Sequence, residues 1–138
     1  MNREIKFRMW NKAGEYSRMF YKTDEVMECL KQQIEFNVDG KSGYDHEGDG
    51  SAFMQYTGLK DKNNKDIYEG DIVQGYENGI KIGTDEIVFK NGRFNFKDTP
   101  SDLVYWIYSF GVKEIEVIGN IHEHPQLIKT HEQPTSNK

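Results

Sequence analysis

Three groups of residues in this 138-residue chain have types and spacings from which chemistry is commonly built. Asp45-His46-Glu47-Gly48-Asp49-Gly50 puts oxygen ligands at the first, third and fifth positions and glycine at the sixth, the opening half of a calcium loop. The closing half is missing. Tyr56 stands where a bidentate glutamate would complete the site, and the flanks read as strand rather than as two helices, so we expect a solvated acidic loop. His122 and His124 lie two apart at a strand end and can share one side, with His131 a few residues on as a third nitrogen. Pro125 follows directly and His131 falls in a polar tail, which favours surface residues capping a last turn. Glu69 with Asp71, and Asp85 with Glu86, have the form of acid–base pairs. Glu69-Gly70-Asp71 already has a sufficient structural role, because Gly70 permits positive φ and Asp71 can bond the amides of the turn. No Gly-x-Ser-x-Gly, Walker or dinucleotide fingerprint occurs. Cys29 is the one cysteine, which excludes an intramolecular disulfide and a cysteine-rich zinc site and leaves it the role of a small hydrophobe. This reading assigns no catalytic, cofactor-binding or metal-ligating residue, and the expectation is a protein without cofactor or enzymatic activity.

Charge narrows the partners. The 23 acidic and 18 basic residues give a net charge of −5 with no basic block. Affinity for nucleic acid comes largely from cationic contacts to phosphate, so a nucleic-acid partner is not the first expectation. It is the second, through Lys60, Lys62, Lys65 and Lys81 near the aromatic Tyr56, Tyr68 and Tyr76. No apolar run approaches the ~18 residues of a spanning helix, and we expect a soluble, cytoplasmic protein.

The elements that would position these groups are short strands. Arg3 to Trp10 alternates Ile5, Phe7 and Met9 against Lys6, Arg8 and Trp10, a strand with one buried face, and Tyr16 to Tyr21 returns as its hairpin partner. A helix capped at Thr23 or Asp24 carries Val26, Met27, Leu30 and Ile34 on one face. After a glycine-rich acidic loop, strands are expected at 53–57, 66–68, 71–76, 80–82, 86–90 and 93–97. Asn63-Asn64, Glu77-Asn78-Gly79 and Asn91-Gly92 turn the chain between them. Thr99-Pro100-Ser101-Asp102 matches a helix start with Thr99 as the cap, and Leu103, Trp106, Ile107 and Phe110 recur at helical spacing up to Gly111. A buried strand is the rival reading of Val104 to Tyr108. Ile115, Val117 and Gly119 alternate in a closing strand.

Three blocks carry a family resemblance: REIKFRMW at the start, TGLKDKNNKDIYEGDIV in the middle and IEVIGNIHEHPQL near the end. Together they resemble the YopX family of small phage and prophage proteins, a likeness that spans nearly all of the chain apart from its tail. It implies a phage or prophage setting rather than a mechanism. Asn63-Asn64 stands where Asn-Gly is more usual, and His122 and His124 where a Tyr and an Asn would be.

These readings combine into a mainly β (α+β) fold, a small SH3-like barrel with an N-terminal hairpin plus helix and one short helix in the second half. The expected divisions are 1–38 for hairpin and helix, 39–52 for the acidic loop, 53–128 for the barrel-like domain and 129–138 for a disordered tail. The expected function is that of a non-enzymatic accessory module that binds protein. If the segment from Pro100 to Phe110 is a helix, Val104, Tyr105 and Tyr108 lie largely opposite its core-facing side. Either residues 1–36 cover them or a second copy does, and a homo-oligomer is expected.

Overall fold

The computed structural model describes residues 4–12, 14–28, 31 and 52–128. The Asp45–Gly50 loop, Cys29, Leu30, Ile34 and His131 lie outside the described residues. Backbone contacts divide the chain into two compact units, Met1–Tyr56 and Thr57–Lys138.

In the first unit, β1 (Phe7–Asn11) pairs antiparallel with β2 (Arg18–Phe20) and with the leading half of β3 (Ala52–Lys60), Met9 facing Phe20 on one side and Phe53 on the other. The expected alternation of β1 is only half realised. Met9 is fully buried, but Ile5 and Phe7 are exposed and Arg8 is buried. Ile5 precedes the paired stretch, and the Arg8 guanidinium lies over the Tyr21 ring, which lets its aliphatic stem be covered. Residues 23–28 and 31 are helical, with Val26 buried as expected. Met27, one residue further round the helix, is exposed, contrary to expectation.

The second unit holds β4 (Asp66–Tyr68), β5 (Asp71–Glu77), β6 (Ile80–Lys90), β7 (Arg93–Phe96), helix α1 (Leu103–Phe110) and β8 (Ile115–Asn120). The trailing half of β3 pairs with β4, and a four-stranded antiparallel sheet runs in the order β7-β6-β5-β8. The fold is thus mainly β, two four-stranded sheets of a small barrel-like kind, as the sequence predicts. Ile67, Val73, Ile87, Phe96, Leu103 and Ile115 form its core, with Trp106 and Ile107 packed against them. Asn78-Gly79 and Asn91-Gly92 both take positive φ at each residue, the primed hairpin turns that match strand twist.

Three local readings are corrected. Asn63-Asn64 is not a primed two-residue turn: only Asn64 has positive φ (64°). The loop spans Asp61 to Lys65, where Asp61 N–H donates to the Lys65 carbonyl and Asn64 N–H to the Asp61 carbonyl, a three-residue loop ending in a left-handed residue. The Asp61 carboxylate then accepts from Asn63 N–H, Lys65 N–H and, across on β8, the buried Val117 N–H. Second, α1 is capped by Asp102, not Thr99; its carboxylate accepts from Tyr105 N–H at 2.7 Å, which helps hold it below the usual carboxylate range. Thr99 is committed elsewhere, as shown below. Third, β6 is continuous where a break was expected at 83–85. Its register shifts opposite Gly75 and Tyr76, which face Gly83 and Lys81 and leave Ile82 as the extra residue of a bulge.

Candidate functional site

A recess of about 320 Å3 lies beneath α1 on the β5–β6 side of the sheet. Val73 on β5 and Ile115 on the neighbouring strand β8 contribute apolar surface, and Phe96 and Trp106 contribute aromatic surface. The Trp106 ring packs edge-on against Phe96 at 5.5 Å between centroids and tilted against Phe110 at 4.6 Å. Helical spacing makes this cluster, because Leu103, Trp106 and Phe110 fall at i, i+3 and i+7 and turn toward the sheet together.

The β6 bulge shapes the opposite wall. Gly83 has φ of 150°, a region of backbone space open to little but glycine, and a Cβ there would meet nothing within 4 Å. The Gln74 side chain, on β5, donates from Nε2 to the carbonyls of both Gly75 and Gly83 and so replaces ladder bonds that the bulge displaces. Gly75 sits between the two walls, where a Cβ would stand in ordinary contact, 3.4 Å from Ile82 and 3.6 Å from Trp106.

Asp85 is buried at the end of the recess. Its carboxylate accepts from the backbone N–H of Glu86, Asp98 and Thr99 and from the Thr99 hydroxyl at 2.7 Å, which fastens the loop leading into α1. Next to it, burial pushes the Glu86 carboxyl above its ordinary value; Asp85, Asp98 and Glu69 act in the same direction and Lys97 opposes them. One polar atom of the Trp106 ring that lines the recess has no such satisfaction. Trp106 Nε1 is buried and has no hydrogen-bond partner among the described residues. A buried donor left in that state costs about 1–3 kcal/mol.

Asp85, the ionisable group lining the recess, is engaged by three backbone donors and by the Thr99 hydroxyl. The other sequence-derived candidates separate in space. Asp71 is buried and accepts from Tyr68 N–H at 2.7 Å, the turn role foreseen for it. His124 packs on the backbone of Gly119, where a Cβ would stand 2.8 Å from its Nδ1, and that same Nδ1 accepts from Asn120 N–H. The lysines and tyrosines that suggested nucleic-acid binding form no open stacking surface: Tyr56 and Tyr68 are buried, Lys60 pairs with Asp66, and Lys62 sits over the Tyr76 ring. Tyr76 in turn donates to Glu116, which lowers the Glu116 carboxyl below its ordinary value.

Val104, Tyr105 and Tyr108 lie on the far side of α1, all exposed, with Tyr108 at 84%. Helical periodicity anticipated that face. It did not reveal the recess, whose signal in the sequence was Gly83-Thr84-Asp85 interrupting the apolar alternation of β6.

Among the described residues no helix is long and apolar enough to cross a membrane. No curated protein matches the chain. A crystal structure of protein EF1440 from Enterococcus faecalis is similar in fold, with a TM-score of 0.55 and 22% identity over 92% of this chain and 99% of that one. The model of the family described as YopX protein matches residues 6–129, nearly the whole length. The chain therefore belongs to the YopX family.

Proposed function

We propose that this YopX-family chain is a non-enzymatic accessory protein of a phage or prophage that works in the host cytoplasm by binding protein, a second copy of itself included. The observation that carries this reading is the outward face of α1. Val104, Tyr105 and Tyr108 are 46%, 61% and 84% exposed on one short helix, and Phe110 at its end is half exposed. Contiguous apolar surface of this kind on a soluble domain usually marks an interface, and tyrosine supplies large contact area at low entropic cost. Nucleic-acid binding is the weaker reading, since the tyrosines it would stack bases on are largely buried or engaged.

Size exclusion coupled to light scattering tests the proposal with the parent chain and Tyr108→Glu. The expected result is an oligomer that becomes a folded monomer on substitution. A parent that stays monomeric at roughly 100 μM, a concentration at which even weak specific dimers assemble, overturns it.

A further inference from the structure

The dipeptide Asn-Gly occurs at Asn78-Gly79 and again at Asn91-Gly92, each time as the two-residue turn of a hairpin. In backbone geometry the two are near copies. Asn78 and Asn91 have φ of 54° and 56°, Gly79 and Gly92 of 82° and 80°, and all four residues are exposed. Asn-Gly is also a pair prone to react with itself, because glycine has no side chain to screen its backbone nitrogen from the carboxamide of the residue before it.

Their surroundings differ in sign. Glu77 precedes Asn78, and the Glu114 carboxylate, thirty-six residues away in sequence, accepts from Asn78 N–H at 3.0 Å and so pins that turn. Lys81, on the returning strand, and Lys113, beside Glu114, are the cations of the same segments. Asn91 instead lies between Lys90 and Arg93, which face each other across the hairpin, and the acid in contact with them is Asp102, 3.1 Å from the Arg93 guanidinium. Among the described residues no hydrogen bond holds Asn91 itself. Asn95 braces the strands just below it, donating from Nδ2 to the carbonyls of Lys90 and Arg93.

We propose that Asn91 is a site of self-modification, at which the side-chain amide is converted to a carboxylate without an enzyme. The Gly92 nitrogen attacks Asn91 Cγ, the new N–C bond closes a succinimide, and the Cγ–Nδ2 bond breaks to release ammonia, which carries away the Gly92 proton. Water then opens the ring: attack at Cγ leaves an aspartyl residue at position 91, and attack at the backbone carbonyl leaves an isoaspartyl residue whose chain runs through Cγ. The nitrogen attacks as its anion, which Lys90 and Arg93 stabilise and which Glu77 and Glu114 oppose at the other turn. The new negative charge enters beside Lys90 and Arg93, which line a recess of about 480 Å3 together with Asp102 and Tyr105, so it arrives at the rim of the outer α1 face. This chemistry stands independently of the protein-binding reading.

The test is incubation of the full chain in heavy-oxygen water at mildly alkaline pH, followed by peptide mapping in the mass spectrometer and labelling by an isoaspartyl methyltransferase. Asn91 should convert about three- to tenfold faster than Asn78, a modest factor because exposed charges act through a high dielectric. Lys90→Glu should slow Asn91 by about twofold or more with Asn78 as reference in the same molecule, and Glu114→Gln should speed Asn78 by a similar factor with Asn91 as reference. Added salt should narrow the gap between the two sites. Equal rates at the two sites, a Lys90→Glu chain in which Asn91 is unaffected, or an Asn91 still intact when the free peptide of residues 88–96 has fully converted would each overturn the assignment.

Discussion

The Asp61 turn and the recess beneath α1 lie in the same unit and solve opposite problems. Around Asp61 each buried polar group has a partner: its carboxylate takes three backbone amides, Lys62 N–H reaches the Ile115 carbonyl, and Asn63 and Tyr76 both donate to Glu116. Beneath α1 the strand carries a bulge, a glycine sits in a conformation other residues avoid, and a tryptophan donor is buried with no partner among the described residues. Local rules that agree with one another build a rigid scaffold, and rules broken together in one place mark where stability has yielded to another demand. By that criterion the turn is architecture and the recess is the place to look for binding.

Substitutions sharpen or break this contrast. The largest effect is expected from Asp61→Ala, which leaves the Val117 amide buried without its acceptor and frees the turn, at a cost of about 3 kcal/mol in urea melts. A loss well under 1 kcal/mol would show that other contacts hold the turn. Gly83→Ala should cost about 1–2 kcal/mol, not through a clash, because space is open there, but through the strained φ. Were that variant as stable as the parent, the bulge would carry no strain and the contrast would collapse. Asn64→Gly acts in the other direction: φ is already positive at this one position, and relieving it should raise stability by up to about 0.5–1 kcal/mol in thermal unfolding.

The smallest effect is a change in pH profile from the Tyr76–Glu116 hydrogen bond on the exposed side of the scaffold. That bond lowers the Glu116 carboxyl from its ordinary 4.5, so its contribution is present above 4.5 and is lost as pH falls through the depressed value. The same bond raises the Tyr76 hydroxyl from 10.0, and there the contribution is full below 10.0 and lost as pH rises through the raised value. Tyr76→Phe should therefore flatten both arms of a stability-against-pH curve while leaving its centre nearly level. A variant profile parallel to the parent's at both ends would show that the bond does not form in solution.

What the sequence determined by itself was local and periodic. Alternating apolar residues and Asn-Gly pairs specified the second half of β6, β7 and their hairpin, because a primed turn needs residues that tolerate positive φ and little else does. Leu103, Trp106, Ile107 and Phe110 specified α1 and, by subtraction, the exposed Val104, Tyr105 and Tyr108. Asp71 was legible as a turn residue for the same reason, since its partner amide lies three residues away. Tertiary structure decided the rest. Whether Thr99 or Asp102 caps α1 depended on Asp85, fourteen residues before Thr99, which claims the Thr99 amide and hydroxyl. Asp61 became a structural anchor only once β8 brought the Val117 amide to it across fifty-six residues. The recess exists because a bulge in β6 with its strained glycine, the neighbouring strands β5 and β8 and one face of α1 converge from separate stretches of chain. No local spacing encodes that convergence: it is set by which strand edges pair and how far each one runs, and pairing is a property of the assembled sheet.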